Sequence, residues 1–113
     1  MKKLFIIPLL ALLVGCASFS THVFRTEQTA VTLAYGAYVG YTNALPNLHL
    51  SPDQSNAVKR ARLEFAASVS VLEAWRTAYE TNGIDKTSVQ AALNSTISNS
   101  SNLVWLISFV RGN

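Results

Sequence analysis

Val58, Phe65, Leu72 and Tyr79 recur at intervals of seven residues. Only an α-helix turns that spacing into one apolar seam, because seven residues are close to two turns. The seam is bounded by recognisable ends. Ser51-Pro52-Asp53-Gln54 reads as a start: Ser51 caps, Pro52 suits the first helical position, Asp53 faces the positive end of the dipole and Gln54 completes a capping box. Asn82-Gly83 reads as a stop. The spacing therefore predicts a helix over 52–81, about 45 Å long, with Ala61, Ser68, Val69 and Trp75 filling the positions between the seam residues. Arg60–Glu64 and Arg76–Glu80 stand at i,i+4 and add tenths of a kcal/mol each. Lys59, Arg60 and Arg62 read as a solvated face.

One seam needs other elements to cover it, and the flanking sequence supplies two. Phe24, Val31, Tyr38 and Leu45 also step by seven, with Ala34 and Tyr41 between them and Pro46 as a stop, which predicts a helix over 24–44. Thr32, Gly36, Gly40 and Ala44 repeat every four residues and line up small side chains. Each glycine inside a helix costs about 1 kcal/mol relative to Ala, so a close backbone contact is expected in return. The contact is either packing within the chain, the commoner arrangement, or a partner helix from another copy. The third segment opens at Ile84-Asp85, with Asp85 as expected cap and Ile84 stapling onto Val89, and continues through Val89, Ala92, Leu93, Thr96 and Ile97. From Asn94 to Asn102, eight of nine residues are Ser, Thr or Asn, which invites a break near Ser98–Ser101. Leu103, Val104, Leu106, Ile107 and Val110 resume in phase, which favours one continuous helix over 86–110. The expected fold is all-α, a three-helix up-down-up bundle with short loops.

The N-terminus follows another logic. Lys2 and Lys3 precede an uncharged run of eleven residues, Leu4 to Val14. That matches the roughly 7–15 residues of a secretory h-region and falls short of the ~20 that span a bilayer. The run ends in Leu13-Val14-Gly15-Cys16, and Cys16 is the one cysteine in the chain. These sixteen residues resemble the precursors of bacterial lipoproteins, whose lipobox ends in a small residue before cysteine. The resemblance implies cleavage between Gly15 and Cys16, a diacylglycerol on Cys16 Sγ and an N-acyl chain on its new amino group. Two or three chains hold a protein to a membrane far more firmly than one. Ala17 and Ser18 in place of an aspartate imply the periplasmic face of the outer membrane in a diderm host. The expected organisation is a signal peptide over 1–15, the lipidated cysteine and a tether over 16–23, and the helical domain over 24–113. An extended tether 17–23 reaches about 25 Å at most.

Loss of the signal peptide removes Lys2 and Lys3 from the nine basic residues and leaves seven against six acidic ones, so the +3 formal charge and the sequence pI of about 9.3 give no argument for nucleic acid. The 98 residues that remain make one small domain, which without a second cysteine stands on packing alone. No charge occurs between Glu27 and Asp53. Thr29, Thr32, Thr42 and Asn43 nevertheless make that span too polar for a membrane helix, though it suits a helix lying partly in the interface. Leu103–Val110 is too short to cross a membrane. His22 and His49 stand alone, with no metal-ligand spacing. No phosphate loop or nucleophile elbow occurs. Glu64, Glu73 and Glu80 read as the polar flank of their helix. The expectation is a non-enzymatic, lipid-anchored envelope protein that needs no cofactor and binds the membrane through its lipid and another protein, or itself, through its helices. A phage- or prophage-encoded factor of lysis or superinfection exclusion, and a carrier of a small apolar ligand between helices, are the alternatives.

Overall fold

A computed structural model of the chain describes residues 2–83 and 85–112, with side chains from residue 18 onward. Three helices, α1 (Lys2–Ala44), α2 (Pro52–Asn82) and α3 (Lys86–Val110), are joined by a short 3₁₀ turn, Leu45–Asn47, and by tight loops. They pack as an up-down-up bundle. Glu27 and Tyr38 of α1 meet Arg76 and Arg62 of α2, and Thr96 and Asn99 of α3 meet Ser68 and Glu64 of α2, so α2 runs against both neighbours. Ser100 of α3 bonds Ala30 of α1 and Arg111 reaches Gly40, so α1 and α3 run parallel. α3 packs extensively against both other helices, whereas α1 and α2 touch least.

The start of α2 forms as the sequence predicts. Ser51 Oγ accepts from the Gln54 N–H at 3.2 Å and Gln54 Oε1 accepts from the Ser51 N–H at 3.0 Å. At the far end Gly83 adopts φ 67°, a left-handed conformation that costs glycine little, and its N–H bonds the Tyr79 carbonyl at 2.7 Å. All four seam residues, Val58, Phe65, Leu72 and Tyr79, are buried. Trp75 instead remains 37% exposed. α3 is unbroken through Ser98–Ser101, because Thr96 and Ser100 lie buried at its crossings with the other helices and spend their hydroxyls on backbone carbonyls.

Two expectations are corrected. Residues 18–23, read as a tether, belong to α1. Val23 is fully buried, and Phe19 lies edge-on to Tyr79 with ring centroids 5.0 Å apart. Phe19, Val23, Glu27, Ala30 and Ala34 keep the three-and-four spacing of one helix face, and tertiary packing holds that turn against α2. Asp85 does not cap α3 with its side chain. It sits at φ 65°, ψ 36°, whereas a capping side chain reaches the next turn from an extended backbone. Its carbonyl still receives the Val89 N–H at 3.0 Å. Ile84, the expected staple, lies outside the described residues.

The core divides in two. Val23, Leu72, Tyr79, Val89, Ala92 and Leu93 form the end nearer the α2–α3 loop. Ala34, Tyr41, Val58, Phe65, Leu103, Ile107 and Val110 form the opposite end. Between them lies a waist of small and polar residues, Glu27, Ala30, Ser68, Thr96 and Ser100. Full burial of Leu72, Leu93 and Leu103 in the two end clusters contributes about 1.5–3 kcal/mol each. Among the described residues no helix is long and apolar enough to cross a membrane.

Candidate interaction surface

Charge is distributed unevenly over the bundle. α2 carries Asp53, Lys59, Arg60, Arg62, Glu64, Glu73, Arg76 and Glu80, while α1 beyond Ser18 carries only Arg25 and Glu27, and α3 only Lys86 at its first position. The parallel packing of α1 and α3 brings their two charge-free stretches together. From Gln28 to Ala44 of α1 and beyond Lys86 in α3 the helices carry no ionised group, and Arg111, just past α3, lies over Gly40 at one end of this side.

This side does present large apolar groups. Trp105 is 66% exposed and Phe109 62%, their rings stacked with centroids 5.6 Å apart and 14° between planes. Leu33 of α1, 61% exposed, stands across a surface groove of about 390 Å³ lined also by Ser100, Ser101, Val104, Trp105 and Ser108. Exposed aromatic and aliphatic side chains beside hydroxyls, without charge, are the composition of an interface core.

The stripe of small residues falls on this side of α1, open at Thr32 and Gly36 and covered at Gly40. Thr32 and Gly36 are exposed, and a Cβ on Gly36 would meet nothing within 4 Å. Gly40 lies beneath Arg111, whose Nη1 would be 2.8 Å from such an atom, and Ala44 is half-buried. α1 packs instead through Val23, Glu27, Ala30, Ala34 and Tyr41. The stripe thus lies outside the apolar seam of α1, which occupies a different face of the helix. Leu13, Val14, Gly15 and Cys16 lie in the part of α1 whose side chains are outside those described.

The waist holds an ion pair that the sequence spacing concealed. Glu27, 2% exposed, accepts from Arg76 Nη1 at 2.9 Å, and the guanidinium lies 5.0 Å over the Phe24 ring. Arg76 is also 3.8 Å from Glu80, its expected i,i+4 partner, so the longer-range pair is the tighter one. Burial pushes the Glu27 carboxyl above its ordinary value, the Arg76 charge opposes this, and the Glu73 charge adds to it. Glu27 Oε1 has no hydrogen-bond partner within the protein. The signal was present in the sequence: Glu27 occupies the register of Val23, Ala30 and Ala34.

His22 and His49 are exposed, and among the described residues no three of His, Cys, Asp and Glu gather where they could hold a metal. A second open groove, about 410 Å³ between α2 and α3, is lined by Glu64, Ala67, Ser68, Val71, Ala92, Ser95 and Asn99. No protein family, characterised protein or solved structure is detectably similar to this chain.

Proposed function

We propose that the chain is a lipid-anchored protein of the bacterial envelope, not an enzyme, whose helical domain binds a protein partner at the membrane surface. The observation that carries this reading is the pair of adjoining uncharged stretches of α1 and α3 with the exposed Trp105, Phe109 and Leu33. The lipobox Leu13-Val14-Gly15-Cys16 supports the anchor and the periplasmic face of the outer membrane as its place in a diderm host. Ser18, two residues beyond Cys16, is already helical. The anchor and the bundle are therefore separated by a few ångströms of helix rise rather than by a flexible spacer, and the partner is one held at the same membrane.

The test has two arms. Wild-type protein incorporates labelled palmitate, and Cys16→Ser accumulates as unprocessed precursor; normal maturation of the variant removes the anchor. Affinity capture from solubilised membranes recovers a partner with wild type and loses it with Trp105→Ala/Phe109→Ala. Equal recovery with that double variant removes the binding surface from consideration.

A further inference from the structure

We propose that the uncharged side of α1 and α3 takes a second copy of this chain in parallel orientation, each Trp105 seating against the open turn at Gly36 of the other copy. The inference rests on the reading above that the domain works beside its own membrane anchor, and it names the partner.

Four features of the molecule point to a second copy. The first is charge. Copies meeting about a two-fold axis bring the same patch against itself, so any ion on the patch meets its like. α1 beyond Glu27 and α3 beyond Lys86 carry none, and Arg111, just past α3, lies over Gly40 of its own chain at one end of the patch. The second is height. Ser100 packs on Ala30 and Arg111 beside Gly40, so Trp105 stands level with residues 35 and 36 of its own α1. A two-fold axis along the helices preserves height and brings Trp105 of one copy to the level of Gly36 of the other. Two copies anchored at Cys16 in one membrane are already parallel.

The third is shape. Nothing lies within 4 Å of the position a Gly36 Cβ would take, and Leu33 and Gly40 flank it one turn away on the same face. That leaves a notch beside an apolar side chain, opposite a protruding indole. The fourth is size. Residues 18–44 extend about 40 Å as helix and the bundle is 19 Å across, which gives a face close to the ~800 Å² per partner of a standard interface. A lipid surface fits less well, since no Lys or Arg lines the groove to meet headgroups, and Ser101 and Ser108 on its lining offer hydroxyls that a neighbouring chain can bond.

Cys16 is the one native cysteine, so an introduced cysteine reports alone once Cys16 is lipidated. In membranes of cells making the full chain, Ser101→Cys on the groove is expected to give a covalent dimer on oxidation, and Ser70→Cys, exposed on α2, is not. Adding Gly36→Leu to Ser101→Cys lowers the dimer yield about tenfold, as loss of one anchor residue does at an interface. Melting temperature is unchanged or raised, because the space at Gly36 is open. Absence of dimer, equal dimer from Ser70→Cys, or a yield untouched by Gly36→Leu overturns the proposal. So does shielding of a monomeric Ser101→Cys from an aqueous thiol reagent, which assigns the face to the bilayer. Palmitate incorporation and capture of a different envelope protein, followed in the same cells, separate the two readings: if they persist without self-crosslinking, only self-association falls. If palmitate is not incorporated, the anchor falls, and crosslinking of the solubilised protein still reads the dimer.

Discussion

Removal of Arg76 should expose how much the waist depends on its ion pair. Arg76→Leu leaves the Glu27 carboxylate buried at 2% exposure with one oxygen newly unpartnered and the other already so. Breaking a buried pair from one side costs about 3–5 kcal/mol. The Arg76 side chain keeps 20% of its surface, and solvent near it eases the loss, which places the expectation near about 3 kcal/mol. Against the roughly 5–15 kcal/mol by which small domains are stable, that is a large share. Glu27→Leu/Arg76→Leu, which removes both charges and keeps apolar volume, should recover most of the loss or exceed wild type. The pH dependence has a definite sign. In Arg76→Leu the burial and the Glu73 charge that raise the Glu27 carboxyl are no longer opposed. A carboxyl held above its ordinary value in the fold contributes stability below that value, and the contribution is lost as pH rises through the folded pKa. The deficit of Arg76→Leu should therefore shrink on acidification and grow toward neutral pH. Urea unfolding of the full chain in mild detergent, followed by helical circular dichroism at several pH values, measures all three proteins. A double variant as unstable as the single one, or a pH-independent deficit, refutes the reasoning.

The helix starts give a contrasting pair. Ser51→Ala should destabilise by about 1 kcal/mol through loss of a formed capping box, whereas Asp85→Gly should stabilise by up to about 1 kcal/mol by relieving a left-handed non-glycine residue that makes no side-chain cap; thermal melts of the two variants are the check, and a shift in the same direction for both contradicts the assigned geometries. Thr96→Val keeps shape but deletes the hydroxyl that bonds the Ser68 and Ala92 carbonyls at 3.2 and 2.9 Å, so denaturant unfolding should report a loss of about 1 kcal/mol.

Legibility of the fold tracked how local its causes are. The seam Val58–Phe65–Leu72–Tyr79, the capping box at Ser51 and the stop at Gly83 are written in adjacent residues and form as read. In-phase apolar spacing carried α3 across its Ser- and Asn-rich stretch for the same reason. What escaped was set by the other helices. The type of Glu27 hides its register, and only the arrival of Arg76 from α2 makes that register tolerable. Asp85 has the right residue type for a cap but a backbone turned away by the tight loop. The charge-free side is half legible: each uncharged stretch can be seen in its own segment, but that the two adjoin follows from the parallel packing of α1 and α3 and from nothing local.

The same distinction bears on the N-terminal turn of the domain, where the sequence suggested a spacer and the packing shows a helix. Were residues 18–23 a spacer, Phe19→Ala would change stability by less than about 0.5 kcal/mol, as exposed substitutions do. The Phe19 ring is instead half-buried, edge-on to Tyr79 at 5.0 Å, with Lys86 Nζ 4.6 Å from its centre, and the adjacent Ser20 donates to Glu80, the neighbour of Tyr79. Full truncation of a buried phenylalanine costs about 3–5 kcal/mol. Half burial scales this to roughly 2 kcal/mol, which includes an aromatic-pair contribution of about 0.5–1.5 kcal/mol. Equilibrium unfolding of Phe19→Ala and of Phe19→Leu separates the parts, since leucine keeps much of the apolar area and loses the ring contacts. A loss near 2 kcal/mol for alanine, partly restored by leucine, means that the bundle extends to within three residues of Cys16, so that whatever holds Cys16 also sets the height at which Leu33 and Trp105 are presented. A negligible loss for both returns residues 18–23 to a spacer and uncouples that height from the anchor.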